Sequence, residues 1–508
     1  MMNMEEHFTL NEQVYLVHGP VNSAIYDPSQ SKQVFAVGNL ERNLLSAMIE
    51  DRLSFVEMER LGKERGFLED SEQLKDFLKS LEERNLGRVC NLEDIIPQAP
   101  PPKPEQKLEF VWLELTQGCN EACSHCSSGS EPEIFNRERD DMRSDDDRVI
   151  SYKGDIPRLV PRNIMTHKEW LDVIDEVAEM GIQRIQFIGG EPFLYDRLVG
   201  REDALFELIE RARAYKIPSI EVFTNGTFID ERRADKLKEL GVHVAVSVYG
   251  PNEEIHEGIT NTKGSFKKTI RAIQLLVERG IQPRTAIVGM KQNEDCIEDT
   301  MTLSRGLGVR QSGYDLVRPA GRGCSSQNAS EKLFLGSLMT HDAFGEIDEE
   351  TFNRWYHGHS CLNGKVYITS NGEVNPCVMS RNHSIGNVKF RTLTDIINGN
   401  SSRSFWQMSK DYIEVCGDCE KRYVCFDCRP KASNPTGNLL EKPAECLYNP
   451  YTGKWATREE YSAIKDNQDE RDELLGITEF RRRHSKEVYS MGSLPIKEAA
   501  AEDEPVTV

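Results

Sequence analysis

The sequence predicts an α/β protein built around parallel strands. Between residues 108 and 325, short β-prone runs alternate with amphipathic helical patterns, which is typical of parallel βα units. Glycine, polar residues or cysteine follow several of these runs, where the carboxyl ends of parallel strands meet. The six predicted strands span 110–116, 184–189, 220–226, 242–249, 284–289 and 314–318. The predicted helices span 166–180, 202–216, 231–240 and 265–279. Six such units predict an open, TIM-like partial barrel, (βα)6.

A small α+β module precedes the barrel. Three strand-like runs come first, and three amphipathic helical patterns follow them. The runs span 13–18, 23–26 and 33–37. We therefore expect a winged-helix-like module over residues 1–93, called the N-terminal module below, with an arbitrary helical cap as the alternative. The proline-rich stretch 94–107 indicates a semi-rigid linker.

Three further segments follow the barrel domain, 108–325. We expect a bridging segment at 326–356, a cysteine-rich domain at 357–450, and a charged helical segment with a disordered acidic tail at 451–508. Inside the barrel domain, residues 127–165 form an insertion rich in Asp and Glu. The expected structure is a solvated, partly disordered loop. A lid that the substrate orders over the site is the alternative.

Composition limits the classes of function. The chain has 508 residues, 38% hydrophobic and 29% charged, as in a globular protein of about three domains. No apolar run approaches the roughly twenty residues of a membrane span, and the first residues lack a signal-peptide pattern, so we expect a cytoplasmic protein. The formal charge of −21 argues against nucleic acid as a partner. Thirteen cysteines in such a protein indicate metal binding rather than disulfides.

Three cysteines with CxxxCxxC spacing directly follow the first predicted strand. They are Cys119, Cys123 and Cys126. Three thiolates on one loop can hold three corners of a four-iron cluster and leave the fourth iron open to a substrate or cofactor. A three-thiolate zinc site and unpaired buried thiols are the alternatives.

Other candidate binding residues lie at the ends of later strands. The motif Gly189-Gly190-Glu191-Pro192 follows the second strand, where glycines allow close approach of the backbone and Glu191 can accept from an ammonium group. Asn225 and Ser247 end the third and fourth strands, and each could also be a turn residue. Arg318 could pair with a carboxylate as a bidentate fork or form a surface salt bridge.

Seven more cysteines lie between residues 361 and 446. They are Cys361, Cys377, Cys416, Cys419, Cys425, Cys428 and Cys446. Residues 365–377 contain an Asn-Gly turn, which predicts a β-hairpin with Cys361 and Cys377 at its two ends. The paired CxxC units are also compatible with a zinc ribbon.

The opening cysteine loop and the Gly-Gly-Glu-Pro motif together resemble the radical S-adenosylmethionine (SAM) superfamily. The resemblance implies that the open iron binds SAM and that the Gly-Gly-Glu-Pro motif contacts its amino group. It also implies that Ser247 contacts the ribose or carboxylate of SAM, and that Asn225 lies near the same ligand.

The second cysteine set resembles the SPASM extension of these enzymes, which carries two auxiliary four-iron clusters. The resemblance implies that Cys361, Cys377 and Cys428 serve the nearer cluster. Cys416, Cys419, Cys425 and Cys446 would serve the farther one. The last pair is spaced by two residues, where the family usually has three. No cysteine precedes Cys361 at the place of a fourth ligand, so Cys324, His357 or His359 substitutes, or the site is open.

The N-terminal module resembles the peptide-recognition element of ribosomal-peptide maturases, in which a leader peptide adds as a strand to a sheet edge. The whole chain is thus predicted to be a radical SAM enzyme that installs a thioether or other side-chain cross-link in a precursor peptide. An external one-electron donor such as flavodoxin or ferredoxin would supply the reducing electron. A sulfatase-type formylglycine maturase and a non-enzymatic iron–sulfur or zinc scaffold that binds a peptide are the alternatives.

Overall fold

The structure, a computed structural model, describes residues 6–64, 66, 71–143, 164–342 and 345–484. Its strands are β1 His7–Leu10, β2 Tyr15–His18, β3 Ser23–Asp27, β4 Gln33–Val37, β5 Gly87–Cys90, β6 Phe110–Glu114, β7 Arg184–Ile188, β8 Ser219–Thr224, β9 His243–Ser247, β10 Arg284–Gly289, β11 Gln311–Leu316, β12 Lys365–Ile368, β13 Glu373–Asn375, β14 Gly386–Asn387, β15 Tyr448–Asn449 and β16 Lys454–Trp455. Its helices are α1 Asn39–Ile49, α2 Phe55–Glu64, α3 Ser71–Glu83, α4 Pro132–Arg143, α5 His167–Glu179, α6 Tyr195–Val199, α7 Ala204–Ala214, α8 Glu231–Glu239, α9 Glu253–Thr260, α10 Ser265–Glu278, α11 Ile297–Gly306, α12 Glu331–Ser337, α13 Glu349–His357, α14 Leu393–Asn398, α15 Asn400–Trp406, α16 Arg429–Ser433, α17 Arg458–Ile464, α18 Gln468–Leu474 and α19 Ile477–Arg483. Among these, no helix is long and apolar enough to cross a membrane.

Strands β6 to β11 form the barrel, and strands that are consecutive in the chain pair in parallel. Successive strand residues point to opposite faces of the sheet. In β6, Val111 and Leu113 are buried in the main core, whereas Trp112 and Glu114 line the cavity inside the barrel. The prediction of an α/β partial barrel with six parallel strands is confirmed.

The hairpin β12–β13 extends the barrel sheet. Strand β12 pairs in parallel with β6, and β13 and β14 continue the sheet in antiparallel order, giving nine strands in the part of the chain described. Its turn contains Asn371 and Gly372, and Gly372 has φ +82° as the Asn-Gly sequence predicts. The sequence did not indicate the pairing with β6, which covers an edge that an open barrel leaves unpaired.

The N-terminal module contains the three strands and three helices that the sequence predicts. Strands β2, β3 and β4 form an antiparallel sheet in that order. One face of the sheet carries Leu16, Ile25 and Phe35, which pack with helices α1, α2 and α3. A second ribbon, in which β1 pairs with β5, was not predicted.

The opposite face of this sheet packs on the C-terminal half of the chain. Val17, Ala24 and Tyr26 share a core with Phe352 of α13 and with Tyr423. The Tyr26 hydroxyl donates to the backbone carbonyl of Glu420 at 2.8 Å. The sheet of the N-terminal module therefore lies between the helices of that module and the cysteine-rich region. The proline-rich linker did not indicate this interface.

The segment after residue 450 contributes helices α17, α18 and α19. Their apolar residues, including Tyr461 and Phe480, pack with Leu338 and Leu447 in a separate small core. The predicted helical character is confirmed for this part. The predicted acidic tail lies outside the described residues. Residues 144–163 of the acidic insertion also lie outside them.

Candidate functional site

A cavity of about 720 Å³ opens at the carboxyl ends of the barrel strands. Its wall includes thiols of the opening loop, strand-end residues and a loop of the cysteine-rich region. The residues on which the following paragraphs rely are Glu114, Cys119, Glu121, Cys123, Cys126, Gly189, Gly190, Asn225, Ser247, Arg318, Tyr367, Met379 and Arg381. Elements more than two hundred residues apart in the chain thus share one site.

The three thiols of the opening loop interact electrostatically with one another. Burial raises the pKa of Cys119 well above its usual value, and Cys126 contributes to this shift. Burial likewise raises the pKa of Cys123, with contributions from Glu121, Cys119 and Cys126. Buried thiols with raised pKa values are poor anions by themselves, whereas a bound metal deprotonates a coordinating thiol.

The Gly-Gly-Glu-Pro motif supports the opening loop from the neighbouring strand. Gly190 N–H donates to Thr116 C=O at 2.7 Å, and Glu191 N–H donates to Gly118 C=O at 3.1 Å. A Cβ on Gly190 would lie 2.2 Å from Gly118 O, so that only glycine permits this contact. The motif therefore brings two backbones together, and Gly189 and Gly190 also line the cavity.

The Glu191 side chain is fully buried and bonds to the protein itself. Its carboxylate accepts from the Thr224 hydroxyl at 2.8 Å, from Phe193 N–H at 3.1 Å and from Asn225 N–H at 2.9 Å. Burial raises the pKa of Glu191 to about 7, although these donors oppose the shift. In the described structure, Glu191 fixes the end of β8, and contact with the amino group of SAM stays a prediction.

Asn225 and Ser247 both line the cavity, as predicted for residues at strand ends. The Asn225 amide donates to Asn120 Oδ1 at 2.9 Å and lies 3.9 Å from Cys119 Sγ. The Ser247 hydroxyl hydrogen-bonds to Tyr249. The structure thus places both residues around the predicted SAM site without testing the role of either.

Glu121 is a buried carboxyl group that sequence analysis did not select. It lies between Cys119 and Cys123 in the chain and is 2% exposed. Burial and the nearby Glu191 raise its pKa to about 8. Its Oε2 accepts from the Cys123 thiol at 3.6 Å, while its Oε1 has no hydrogen-bond partner among the described residues. A buried unpaired oxygen at the cavity wall is compatible with a missing polar ligand.

Helix α4 corrects the expected loop structure for part of the acidic insertion. Glu138 in this helix is 0% exposed, and its carboxylate accepts from Gln117 N–H at 2.8 Å and Gly118 N–H at 3.0 Å. The hydroxyls of Thr116 and Ser370 also donate to it. One carboxylate therefore joins the loop that carries Cys119 to the β12–β13 hairpin.

Arg381 reaches the barrel interior from the loop after the hairpin. Its guanidinium pairs with Glu114 of β6, and the Tyr367 hydroxyl donates to the same carboxylate at 2.5 Å. Its Nε has no hydrogen-bond partner in the described part of the chain. The cavity wall therefore contains a neutral Arg381–Glu114 ion pair, and the sequence contained no signal for it.

Electrostatic interactions link the remaining thiols into two groups. Burial raises the pKa of Cys361 and raises that of Cys377 to about 12, and Cys428 increases both shifts. Burial also raises the pKa of Cys416 to about 12, with Cys446 and Cys425 adding to it. Cys419 interacts with Cys416 and Cys446. The ligand roles themselves stay predictions.

The expected substitutes for a fourth ligand of the nearer set are engaged elsewhere or exposed. His359 Nδ1 accepts from Cys361 N–H at 2.9 Å and Leu362 N–H at 3.0 Å, so that Nε2 carries the proton, which it donates to Asp427 at 3.2 Å. His357 Nε2 bonds to Pro101 C=O at 2.7 Å, and Cys324 is exposed.

Arg318 lies beside this nearer set. Burial by itself would lower the pKa of Arg318. The pKa is raised instead by the nearby Cys428, Asp315 and Cys377, and Arg318 also hydrogen-bonds to Cys428. Asp315 lies 3.4 Å from its Nη2. Arg318 thus lies between the cavity and the auxiliary thiols, and its pairing with a SAM carboxylate stays a prediction.

The donor chemistry of all three thiol sets fits iron–sulfur clusters. The opening loop offers one buried and two half-buried thiols beside an open cavity, which suits a four-iron cluster with one free iron. The nearer set again has three thiols. The farther set has four, which can close every corner of a cluster.

Comparison with known proteins identifies both domains. A family model described as the radical SAM superfamily matches residues 113–304, and one described as an iron–sulfur cluster-binding domain, SPASM, matches residues 360–420. The AdoMet-dependent heme synthase of Methanosarcina barkeri is 26% identical over 379 residues, which cover 67% of this chain and 96% of that protein.

Two relatives named for peptide products also match. The antilisterial bacteriocin subtilosin biosynthesis protein AlbA of Bacillus subtilis is 23% identical over 341 residues, covering 63% of this chain and 67% of AlbA. The PqqA peptide cyclase of Gluconobacter oxydans is 25% identical over 359 residues, covering 67% of this chain and 91% of the cyclase. The non-enzymatic scaffold is thereby excluded. The chain is therefore an enzyme with a radical SAM domain at residues 113–304, which binds SAM and a four-iron cluster, and a SPASM domain at residues 360–420 for auxiliary iron–sulfur clusters.

Proposed function

We propose that this enzyme modifies a ribosomally made precursor peptide by forming a thioether or another side-chain cross-link. The observation that carries the proposal is the placement of the N-terminal module, whose sheet is fixed to the cysteine-rich region while one edge stays accessible. The names of AlbA and the PqqA peptide cyclase support a peptide substrate. The names of the relatives indicate different substrates, so the choice of a peptide as the substrate of this enzyme depends on features of this chain.

The accessible edge is β4. At the other edge of the sheet, β2, the outward Leu16 N–H already donates to the Gln98 side chain at 3.3 Å. Since outward and paired groups alternate along antiparallel strands, the register places the backbone groups of Val34 and Ala36 on the outer edge of β4. At the start of this edge, Lys32 C=O accepts from Ile347 N–H. A leader peptide would continue from there as a fourth strand.

The barrel supplies the radical chemistry. SAM bound with a reduced four-iron cluster supplies a 5′-deoxyadenosyl radical, which removes a hydrogen atom from an unactivated carbon. Cys119, Cys123 and Cys126 would hold the cluster. Backbone groups of Gly189, Gly190 and Pro192, together with Glu191, Asn225 and Ser247, would surround SAM. The reducing electron would come from a flavodoxin or ferredoxin.

The cysteine-rich region would complete the reaction chamber. Met379 and Arg381 line the barrel cavity together with residues of β8 and β9. Arg381 and Glu114 neutralise each other there, so that the peptide would meet an ion pair rather than a lone charge. Water would be excluded by the same contacts, which protects a carbon radical from side reactions.

The decisive experiment compares Ala36→Pro with Ala36→Val. Proline removes an outward N–H from β4 without removing a bond between β3 and β4, whereas valine keeps that N–H. With a leader-containing precursor peptide as substrate, Ala36→Pro should lower cross-linking at least about tenfold, and Ala36→Val should not. Both variants should form 5′-deoxyadenosine in the absence of peptide.

The products are measured by mass spectrometry, because each cross-link removes two hydrogen atoms from the peptide. Unchanged cross-linking by Ala36→Pro would show that β4 is not the leader site. Equal modification of a leaderless peptide that contains a single cysteine or serine would instead favour the formylglycine maturase.

A further inference from the structure

Lys410 is a buried lysine in contact with the farther thiol set. It is 7% exposed, and its ammonium nitrogen lies 2.9 Å from Cys425 Sγ. It begins a single helical turn, Lys410–Tyr412, and the preceding Ser409 hydroxyl accepts from Asp411 N–H. The backbone around it is therefore fixed, and the side chain has little freedom to leave the sulfur.

The carboxylate that interacts electrostatically with Lys410, Asp427, is paired with other groups. Asp427 is held by Arg429, whose Nη2 lies 2.5 Å from Asp427 Oδ1, and by His359 Nε2–H. Arg429 and Asp427 are both almost completely buried and form an ion pair of their own. The direct hydrogen bond of the Lys410 ammonium goes to the Cys425 sulfur.

A buried ammonium group is costly unless an anion offsets the loss of its hydration. Four thiolates around a four-iron cluster form such an anion, and one-electron reduction makes it more negative by one charge. A fixed cation beside a ligand sulfur therefore stabilises the reduced cluster more than the oxidised one. Hydrogen bonds to sulfur and local charge are recognised determinants of cluster potentials.

The nearer set offers an internal comparison. Lys365 Nζ lies 4.0 Å from Cys361 Sγ, and this lysine is half-buried. The longer distance and the access of water weaken its electrostatic effect. The two lysines thus present the same ammonium group to a ligand sulfur in two different environments.

We propose that Lys410 is a positioning residue that raises the reduction potential of the cluster held by Cys416, Cys419, Cys425 and Cys446. The inference rests on the proposed ligand set. When a cross-link closes, one hydrogen atom has left with the 5′-deoxyadenosyl radical. The second hydrogen leaves as a proton to solvent and an electron to this site. The electron then returns to the external one-electron carrier.

The test is an EPR-monitored redox titration of the full chain, reconstituted anaerobically in a Cys123→Ala background to remove the SAM-site signal. Lys410→Met should lower the equilibrium constant for reduction of the farther cluster at least about tenfold, a shift of about 59 mV for one electron. Lys410→Arg should retain most of the wild-type potential. Lys365→Met should shift the nearer cluster several-fold less.

Each outcome is decisive. An unchanged potential in Lys410→Met, or equal shifts in Lys365→Met and Lys410→Met, overturns the proposal while leaving the cluster assignment intact. Absence of the farther-cluster signal from the Cys123→Ala parent overturns the ligand assignment, and the Lys410 proposal with it.

If Lys410→Met loses this cluster, Lys410→Gln keeps a donor without a charge and is titrated instead. Loss of iron from both variants, but not from Lys410→Arg, would make Lys410 an assembly residue and overturn the proposal.

Discussion

Tyr26 should join the N-terminal module to the cysteine-rich region energetically as well as structurally. The side chain is 0% exposed, its ring packs near Phe352 and Tyr423, and its hydroxyl donates to Glu420 C=O. Tyr26→Ala removes a fully buried aromatic ring, which costs about 3 to 5 kcal/mol. Tyr26→Phe removes only the hydrogen bond and should cost about 1 kcal/mol.

The assay is native-state proteolysis under anaerobic conditions, because a chain with several domains does not unfold in one step. The rate of cleavage within the N-terminal module reports the population in which the interface is open. Tyr26→Ala should raise that population more than about a hundredfold, since each 1.4 kcal/mol is a factor of ten. Tyr26→Phe should raise it less than about tenfold. Phe390→Ala is the control, because Phe390 is 80% exposed.

Iron content provides a second readout. Tyr26 lies close enough to Cys419 for the two groups to interact electrostatically. Tyr26→Ala should therefore lose iron from the farther set before the SAM site loses any. Cleavage and iron content indistinguishable from those of Phe390→Ala would refute the view that this interface holds the module in place.

Three further predictions concern the clusters and the module. Anaerobically reconstituted protein should hold about twelve irons with matching sulfide; stoichiometric zinc without visible absorption would contradict the auxiliary clusters. Cys123→Ala should abolish reductive SAM cleavage while sparing the auxiliary clusters, measured as 5′-deoxyadenosine formation and iron content; continued cleavage would show that the opening loop was misassigned. Glu138→Gln should weaken the opening loop by about 1 to 3 kcal/mol, because an amide NH₂ replaces an oxygen that accepts backbone N–H groups. Faster loss of SAM-site iron to a chelator would show this effect, and an unchanged rate would contradict it.

The interface changes what deletion of residues 1–93 should do. From linker composition alone, the truncated enzyme should keep all its iron and still cleave SAM. Since the deletion also exposes Phe352 and Tyr423 beside the farther thiols, the structure predicts retained SAM cleavage with reduced auxiliary iron. The Ala36 variants therefore separate leader binding from folding more cleanly than the deletion.

Local pattern was sufficient for most elements and for the cysteine motifs. Alternation of β-prone and amphipathic runs located the six barrel strands. The hydrophobic periodicity within about ten residues is enough to show which face of a strand or helix is buried. The Asn-Gly pair located the hairpin at residues 365–377 because that turn needs φ > 0. The cysteines were also informative, since thiols at short fixed spacings have few structural uses in a protein of this kind.

Only the tertiary structure decided which distant groups meet. Three contacts join segments that are far apart in the chain: the pairing of β12 with β6, the packing of Tyr26 on Tyr423 and the ion pair of Arg381 with Glu114. No periodicity in the local sequence indicates such contacts. Glu138 lies in an acidic insertion and Lys410 in a polar turn, where either residue has the local pattern of a solvated charge. Each is buried because its partners arrive from elsewhere, the backbone of the opening loop for Glu138 and a cysteine sulfur for Lys410. The sequence by itself determined the chemistry available to this enzyme, whereas the fold decided which charges face the thiols.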